Sequence, residues 1–335
     1  MRHPGWMTAA TAATAASRAT AGAAIEVRGL TKAFAVGRRH ARRRIEAVRA
    51  ISFTIDSGER VAYIGPNGAG KSTSIKILTG ILHPTGGEAN VLGVVPWQDR
   101  RRLAARIGTL FGQRSLLWFE LTPRQSYRML AAIYGLDARQ ERTRVAELAD
   151  LLEAGELFDV PVRNLSLGQR MRCELGAVML HQPEVLFLDE PTIGLDLLAK
   201  QRFRELLVRL NGERGTTIFL TSHDVADIEH VAERAIVINH GSVIYDDAVA
   251  TMRRRLMATK LVEVGLAEPS ERVAMAGVSV LEHSPTRMKL VVDTATTPIR
   301  DVVDALLDDH DVADISVVDP PLEQVIAEIY GLPQR

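Results

Sequence analysis

The segment Gly65-Pro66-Asn67-Gly68-Ala69-Gly70-Lys71-Ser72-Thr73 fits the phosphate-cradling pattern G-x-x-x-x-G-K-[ST], with an extra glycine inside the loop. Arg60-Val61-Ala62-Tyr63-Ile64 before it is apolar and partly β-branched, as a buried strand is. Ser74-Ile75-Lys76-Ile77-Leu78 after it begins a helical pattern. A strand-to-helix turn of this composition aims backbone N–H groups and a helix N-terminus at phosphate oxygens. Lys71 is then expected to reach the β- and γ-phosphates, and the Ser72 hydroxyl to ligate Mg²⁺. A glycine-rich turn that merely carries a lysine is the plain alternative. Agreement of strand, loop and helix with the motif argues against it, so the chain reads as a binder of a nucleoside triphosphate.

Val185-Leu186-Phe187-Leu188-Asp189-Glu190 is an apolar strand pattern ending in two acids. An acid at the carboxyl end of a parallel strand beside a P-loop is placed to hold Mg²⁺, usually through water, and Asp189 takes that role. Glu190 then stands where it can polarise the water that attacks the γ-phosphate. A solvated strand end is the plain reading of the same two acids. Asn164-Leu165-Ser166-Leu167-Gly168-Gln169-Arg170 precedes a helix whose apolar positions include Met171, Leu175 and Val178. Ser166 and Gly168 thus lie near a helix N-terminus, a place where anions bind, although Ser166 also reads simply as an N-cap.

With these segments in this order, the chain resembles the ATP-binding-cassette (ABC) ATPase family. Leu165 to Gln169 looks like the family's signature, and it falls between the P-loop and the Asp189-Glu190 strand, as it does there. The resemblance covers roughly residues 24–245 and assigns further roles. Phe34 takes the place of the aromatic that stacks on adenine, where tyrosine is usual. Gln113, in Phe111-Gly112-Gln113-Arg114-Ser115, resembles the glutamine that joins Mg²⁺ and water to the membrane partner. Gly194-Leu195-Asp196 resembles the D-loop, and His223 the switch histidine that contacts the γ-phosphate. Leu167 stands where the signature commonly has glycine, while Ser166, Gly168 and Gln169 are kept.

The resemblance implies an α/β P-loop cassette with a mostly parallel sheet core, an antiparallel β subdomain and a helical subdomain. It implies ATP and Mg²⁺ as ligands, with Glu190, His223 and Gln113 as catalytic groups. Two cassettes are expected to pack head to tail, each ATP lying between one P-loop and the partner's Ser166, as a homodimer or with a related chain. A separate transmembrane permease would supply the pore, placing the chain peripherally at the cytoplasmic face of the membrane. Leu116-Leu117-Trp118-Phe119 is where the family receives the permease's coupling helix; the same residues also suit the interior of the helical subdomain. The run from Gln169 through Leu197 and the ending Pro320-Pro321-Leu322-Glu323-Gln324-Val325 resemble exporters of the ABC-2 kind. An importer ATPase is the nearest alternative. Members acting on ribosomes would carry a second P-loop, and DNA-repair members a long run of heptads; neither pattern occurs here.

Strand patterns at Ile25–Val27 and Ala50–Ile55, and at 185–188, 217–220 and 235–238, alternate with helical ones, which reads as α/β with a largely parallel sheet. Helices are expected over Ser126–Gly135 and Glu141–Leu157. Residues 1–23, rich in Ala and Thr, read as a disordered tail, with Met7 as a possible second start. The cassette then spans 24–246, and a small α+β accessory domain 247–335. That domain shows strand patterns at 260–264, 288–292 and 315–318 and helices at 299–307 and 322–330. Val303, Leu306 and Leu307 are expected to form one apolar face there, and Leu322, Val325, Ile326 and Ile329 another.

Across 335 residues, 41 Lys+Arg balance 41 Asp+Glu, so nothing draws the molecule as a whole to nucleic acid. The basic run between Arg38 and Arg44 suits a solvated surface loop better than a lipid contact. No run of apolar residues is long enough to span a bilayer. The one cysteine, Cys173, cannot form an intrachain disulfide and reads as a buried structural thiol.

Overall fold

The computed structural model describes residues 22–36, 43–112, 114–222, 224–257, 259–268, 275–294 and 296–318. The chain divides into two units, 1–246 and 247–335.

In the first unit, β1 (Ala23–Val36) and β2 (Arg43–Asp56) form a long antiparallel ribbon that continues well beyond the short strand patterns of the sequence. β3 (Arg60–Ile64) leads into α1 (Lys71–Leu78), and β4 (Gly86–Val91) returns to pair with β1. After α2 (Arg100–Ala104) and β5 (Ile107–Phe111) come three helices: α3 (Pro123–Ile133), α4 (Ala138–Leu151) and α5 (Leu167–Met179). β6 (Val185–Asp189), α6 (Leu197–Arg214), β7 (Thr217–Thr221), α7 (Val225–Val231), β8 (Arg234–Asn239) and β9 (Ser242–Ala248) follow. The six-stranded sheet has the order β5-β6-β7-β3-β8-β9, with β5, β6, β7, β3 and β8 parallel.

Strand periodicity divides the core between the two faces of that sheet. Leu186, Leu188, Ile218 and Leu220 point into a cluster with Tyr127, Phe158, Leu175 and Phe203 of the helical side. Val185, Phe187 and Phe219 point the other way, toward Ile25, Ile51 and Phe53 of the ribbon. Tyr63 and Phe219 meet there with ring centroids 5.1 Å apart, an aromatic contact that adds to simple burial. Both faces being covered explains why these strands are nearly unbroken apolar runs.

One expected helix is shorter than its apolar spacing. α4 ends at Leu151, Glu153 takes a φ of 49°, and Gly155–Asp159 forms a 3-10 turn. Leu152, Ala154, Leu157 and Phe158 are all buried, so the apolar signal runs on past the break in the backbone.

The second unit begins with α8 (Val249–Met257), followed by β10 (Thr259–Leu266), β11 (Val278–Ser284), β12 (Arg287–Asp293), α9 (Ile299–Asp309) and β13 (Val312–Val318). The sheet is antiparallel with order β11-β12-β10-β13. Val262, Val264, Leu290 and Val292 pack with Val302 and Leu306 of α9. The inner face of α9 is therefore Ile299, Val302 and Leu306, at helical spacing, whereas Leu307 is 54% exposed and Val303 only half-buried. That corrects the expected face. Residues 320–330, with their expected helix, lie outside the described residues.

Candidate active site

The P-loop joins β3 to α1 under tight steric limits. A Cβ on Gly65 would lie 2.4 Å from the carbonyl oxygen of Ile238. Gly70, at φ 110°, would bring one within 2.4 Å of the carbonyl oxygen of Ala47. Only glycine allows β2 and β8 to press this close to the loop. Gly65, Ala69 and Gly70 are buried, Pro66 is half-buried, and Asn67 and Gly68 are exposed at the tip. The Ala69 N–H donates to the Pro66 carbonyl at 3.1 Å, and Ser74 N–H to Gly70 at 2.9 Å. Lys71 opens α1, 6% exposed, with its ammonium donating to the Gly65 carbonyl and lying 3.4 Å from that of Pro66. Ser72 next to it is exposed and Thr73 half-buried.

The two acids at the end of β6 reach the same place. Glu190 Oε1 is 3.8 Å from Lys71 Nζ. Burial lowers the Lys71 ammonium below its ordinary pKa, while the Glu190 and Asp189 carboxylates act against that shift. The Thr221 hydroxyl at the end of β7 donates to Asp189 Oδ1 at 2.7 Å. Glu190 takes a φ of 52°, and its N–H donates to the Thr221 carbonyl at 3.0 Å. The carbonyl of Asp189 accepts from Gly112 N–H at 2.9 Å, so the chain entering Gln113 is fixed to this strand end. Parallel strands thus present a buried lysine and two acids at their carboxyl ends, where open α/β sheets bind ligands.

Ser166 and Asp196 sit at helix starts. Ser166 forms a capping box with Gln169: its hydroxyl accepts from Gln169 N–H at 3.2 Å, and its own N–H donates to Gln169 Oε1 at 2.9 Å. Asp196 caps α6 by accepting from Ala199 N–H at 2.8 Å. These two starts touch: a Cβ on Gly168 would lie 2.7 Å from Ala199 Cβ, and one on Gly194 would lie 3.3 Å from Leu167. No hydrogen bond among the described residues joins Ser166 or Gly168 to the P-loop of the same chain. Phe34 pairs across the ribbon with Ile45, and Lys32 Nζ lies 5.1 Å from its ring centre. Gln113 and His223 lie outside the described residues.

Sequence reasoning passed over the polar groups that hold this site. Asp227, fully buried in α7, accepts from Arg204 Nε at 2.6 Å, the Thr192 hydroxyl at 2.5 Å and the Ser222 hydroxyl at 2.7 Å. Ser222 in turn accepts from Asp224 N–H at 2.9 Å. Asp224 pairs with Lys200 at 2.6 Å and Arg204 at 3.2 Å. One carboxylate therefore joins the turn after Glu190 to Ser222, and through the Ser222 hydroxyl to Asp224. The available signal was an acid within the apolar run Val225, Ile228 and Val231 of a short helix. Thr221, ending an otherwise apolar strand, was a second.

The chain matches the ABC transporter family model over residues 48–193. The daunorubicin resistance ATP-binding protein DrrA2 of Streptomyces coeruleorubidus is 32% identical over 309 residues, covering 90% of this chain and 94% of that protein. The ABC transporter ATP-binding protein NatA of Bacillus subtilis (strain 168) is 30% identical over 208 residues, 62% of this chain and 84% of that one. Among solved structures, the dimeric post-hydrolysis state of the ATP-binding cassette MJ0796, bound to ADP and Pi, matches with a TM-score of 0.59. It is 26% identical and covers 67% of this chain and 98% of that chain.

Proposed function

Since the chain belongs to the ABC transporter family as one of its ATP-hydrolysing cassettes, we propose that residues 24–246 form the motor of an ABC-2-type exporter and act on a separate permease. The observation that carries the site assignment is the meeting of Lys71, Asp189, Glu190 and Thr221 at one sheet end. Residues Gly65 to Thr73 cradle the phosphates, Lys71 neutralises their charge, and Phe34 stacks on the adenine. Glu190 orients the attacking water, and His223 and Gln113 complete the γ-phosphate end. Ser72, exposed at the start of α1, and Asp189 would hold a Mg²⁺ that arrives with the phosphates, with Gln113 as a further ligand. That ion, when bound, neutralises charge developing on the phosphate oxygens.

Ser166, Gly168, Gln169 and Asp196 serve a nucleotide held by a second cassette, in line with their distance in sequence and bonding from this chain's own P-loop. A dimer, with itself or a related chain, is the working unit. Binding of ATP favours the closed pair because contacts to Ser166 exist only there, and loss of the γ-phosphate reopens it. Leu116, Trp118 and Phe119 are 38%, 39% and 57% exposed while Leu117 is buried, which supports a permease docking patch with Leu117 as its inward anchor. No helix among the described residues is long and apolar enough to cross a membrane. The chain then works peripherally at the cytoplasmic face. Relatives involved in drug resistance support export; the permease chooses the cargo.

Lys71→Ala is expected to weaken ATP binding, whereas Glu190→Gln keeps binding and loses turnover by on the order of 10²-fold or more. In the Glu190→Gln background, Mg-ATP should drive a monomer-to-dimer shift in light scattering, and Ser166→Arg should block it. Wild-type turnover in Glu190→Gln would remove that residue from catalysis. Copurification in detergent, with the attached membrane protein identified, tests the permease.

A further inference from the structure

Glu174 lies on α5, two turns beyond the signature, and is 2% exposed. A buried carboxylate is costly unless every lone pair finds a donor. Here the donors come from the segment just after Gln113. Leu116 N–H donates to Glu174 Oε2 at 2.8 Å, and the Ser115 hydroxyl bonds Oε1. Arg170, one turn back toward the signature, brings its Nε to 3.7 Å from Oε1. The next residues continue the chain of contacts: Leu117 N–H donates to the Ser115 hydroxyl at 3.2 Å, and Trp118 N–H to the Ser126 hydroxyl at 3.3 Å. Leu116, Trp118 and Phe119 carry the exposed apolar surface of this segment.

One buried side chain therefore ties the 115–118 segment to the helix that Ser166 caps, with Ser166 about 12 Å away along α5 at 1.5 Å per residue. We propose that Glu174 is a positioning residue that couples the 115–118 segment to the signature helix, so that engagement at Ser166 is felt at Trp118. This rests on the head-to-tail reading given above. A second connection reaches further along, with Arg163 N–H donating to the Phe119 carbonyl at 3.1 Å and Val162 N–H to that of Leu121 at 2.9 Å. Glu174 is the group that holds the part nearest Gln113. The burial that lifts the Glu174 carboxyl above its ordinary pKa is opposed by these same donors, Ser115 first and then Leu116.

The chain has three tryptophans, so Trp6→Phe and Trp97→Phe leave Trp118 as the only indole reporter. In that full-length chain carrying Glu190→Gln, Mg-ATP is added while scattering reads mass and emission reads Trp118. The parent is expected to dimerise and change its Trp118 emission together. Glu174→Ala is expected to dimerise but to lose the emission change by at least about threefold, within the range of coupling carried by residues that touch neither ligand. Glu174→Gln, which can still accept from Leu116 N–H, restores most of it. Should Glu174→Ala not fold, Ser115→Ala removes one partner from the other side and should reduce the emission change by about twofold. An unchanged Trp118 response in Glu174→Ala or Ser115→Ala overturns the coupling, as does a parent that dimerises without any response. A parent that stays monomeric with Mg-ATP overturns the head-to-tail reading, and the coupling with it.

Discussion

Glu190 adopts a left-handed φ of 52°, which costs a residue bearing a Cβ about 1–2 kcal/mol. The Thr221 carbonyl and hydroxyl, both facing its N–H, hold the turn in place and aim its carboxylate back at Lys71. Burial acts on other single residues in ways that can be titrated. Cys173 is fully buried, which pushes its thiol up to about 12 and leaves it chemically quiet. Glu174 is raised above its ordinary 4.5 mainly by desolvation, so the folded chain holds that proton more tightly than the unfolded one. The contribution of this group to stability is therefore complete below pH 4.5 and declines as pH rises through its folded pKa. Glu174→Gln removes the titration. Thermal melts across that range should show the variant gaining on the wild type as pH increases. A constant difference in Tm would mean that the carboxyl titrates alike in both states.

The elements that carry the site are held by polar bonds as well as by packing. Asp227 binds α6 through Arg204, the turn after β6 through Thr192, and the end of β7 through Ser222. Asp227→Ala takes the Nε partner from buried Arg204, which keeps Asp224 at 3.2 Å, and leaves the Thr192 and Ser222 hydroxyls without their acceptor, so it should destabilise the cassette by about 2 kcal/mol or more. Denaturant unfolding with an unchanged m-value measures this, and a loss below about 1 kcal/mol would show that water or a shifted Arg204 side chain replaces the carboxylate. Such bonds were hard to foresee, because each joins residues more than twenty positions apart or a loop to a helix. The strands β3, β6, β7 and β8 were legible because both faces of their sheet are covered, which leaves an apolar run in the sequence. P-loop and acids were legible because their chemistry needs fixed residue types at fixed spacing. β11 was not: Val278-Ser279-Val280-Leu281-Glu282-His283-Ser284 is an edge strand with no buried residue, formed by its ladder with β12. α9 misled in another way, since three apolar residues near one another on a helix do not all face inward when only one sheet covers it.

At the scale of the whole molecule, the two units have separate cores. Val262, Val264, Leu266, Met288, Leu290, Val292, Val302 and Leu306 close on one another within the second unit. β9 of the first sheet ends at Ala248, before any of them. The P-loop, the acids of β6, the signature and the D-loop all precede residue 200. A chain cut after Val249 is thus expected to fold, keep its two large clusters and bind ATP within about threefold of the full-length Kd, a difference below 1 kcal/mol. What the second unit contributes should appear in assembly instead. In the Glu190→Gln background, dimers of the shortened chain are expected to dissociate faster once ATP is removed, because a unit outside the nucleotide motifs can still act on the lifetime of the pair. Stopped-flow dilution read by light scattering gives that rate, and equilibrium titration gives the affinity. Loss of ATP binding in a shortened chain whose far-UV circular dichroism and cooperative melt are intact would show that the cassette needs the second unit for its own site. Equal affinity with equal dissociation rates would leave the second unit to the permease, and permease-stimulated ATPase would then be the activity that truncation lowers.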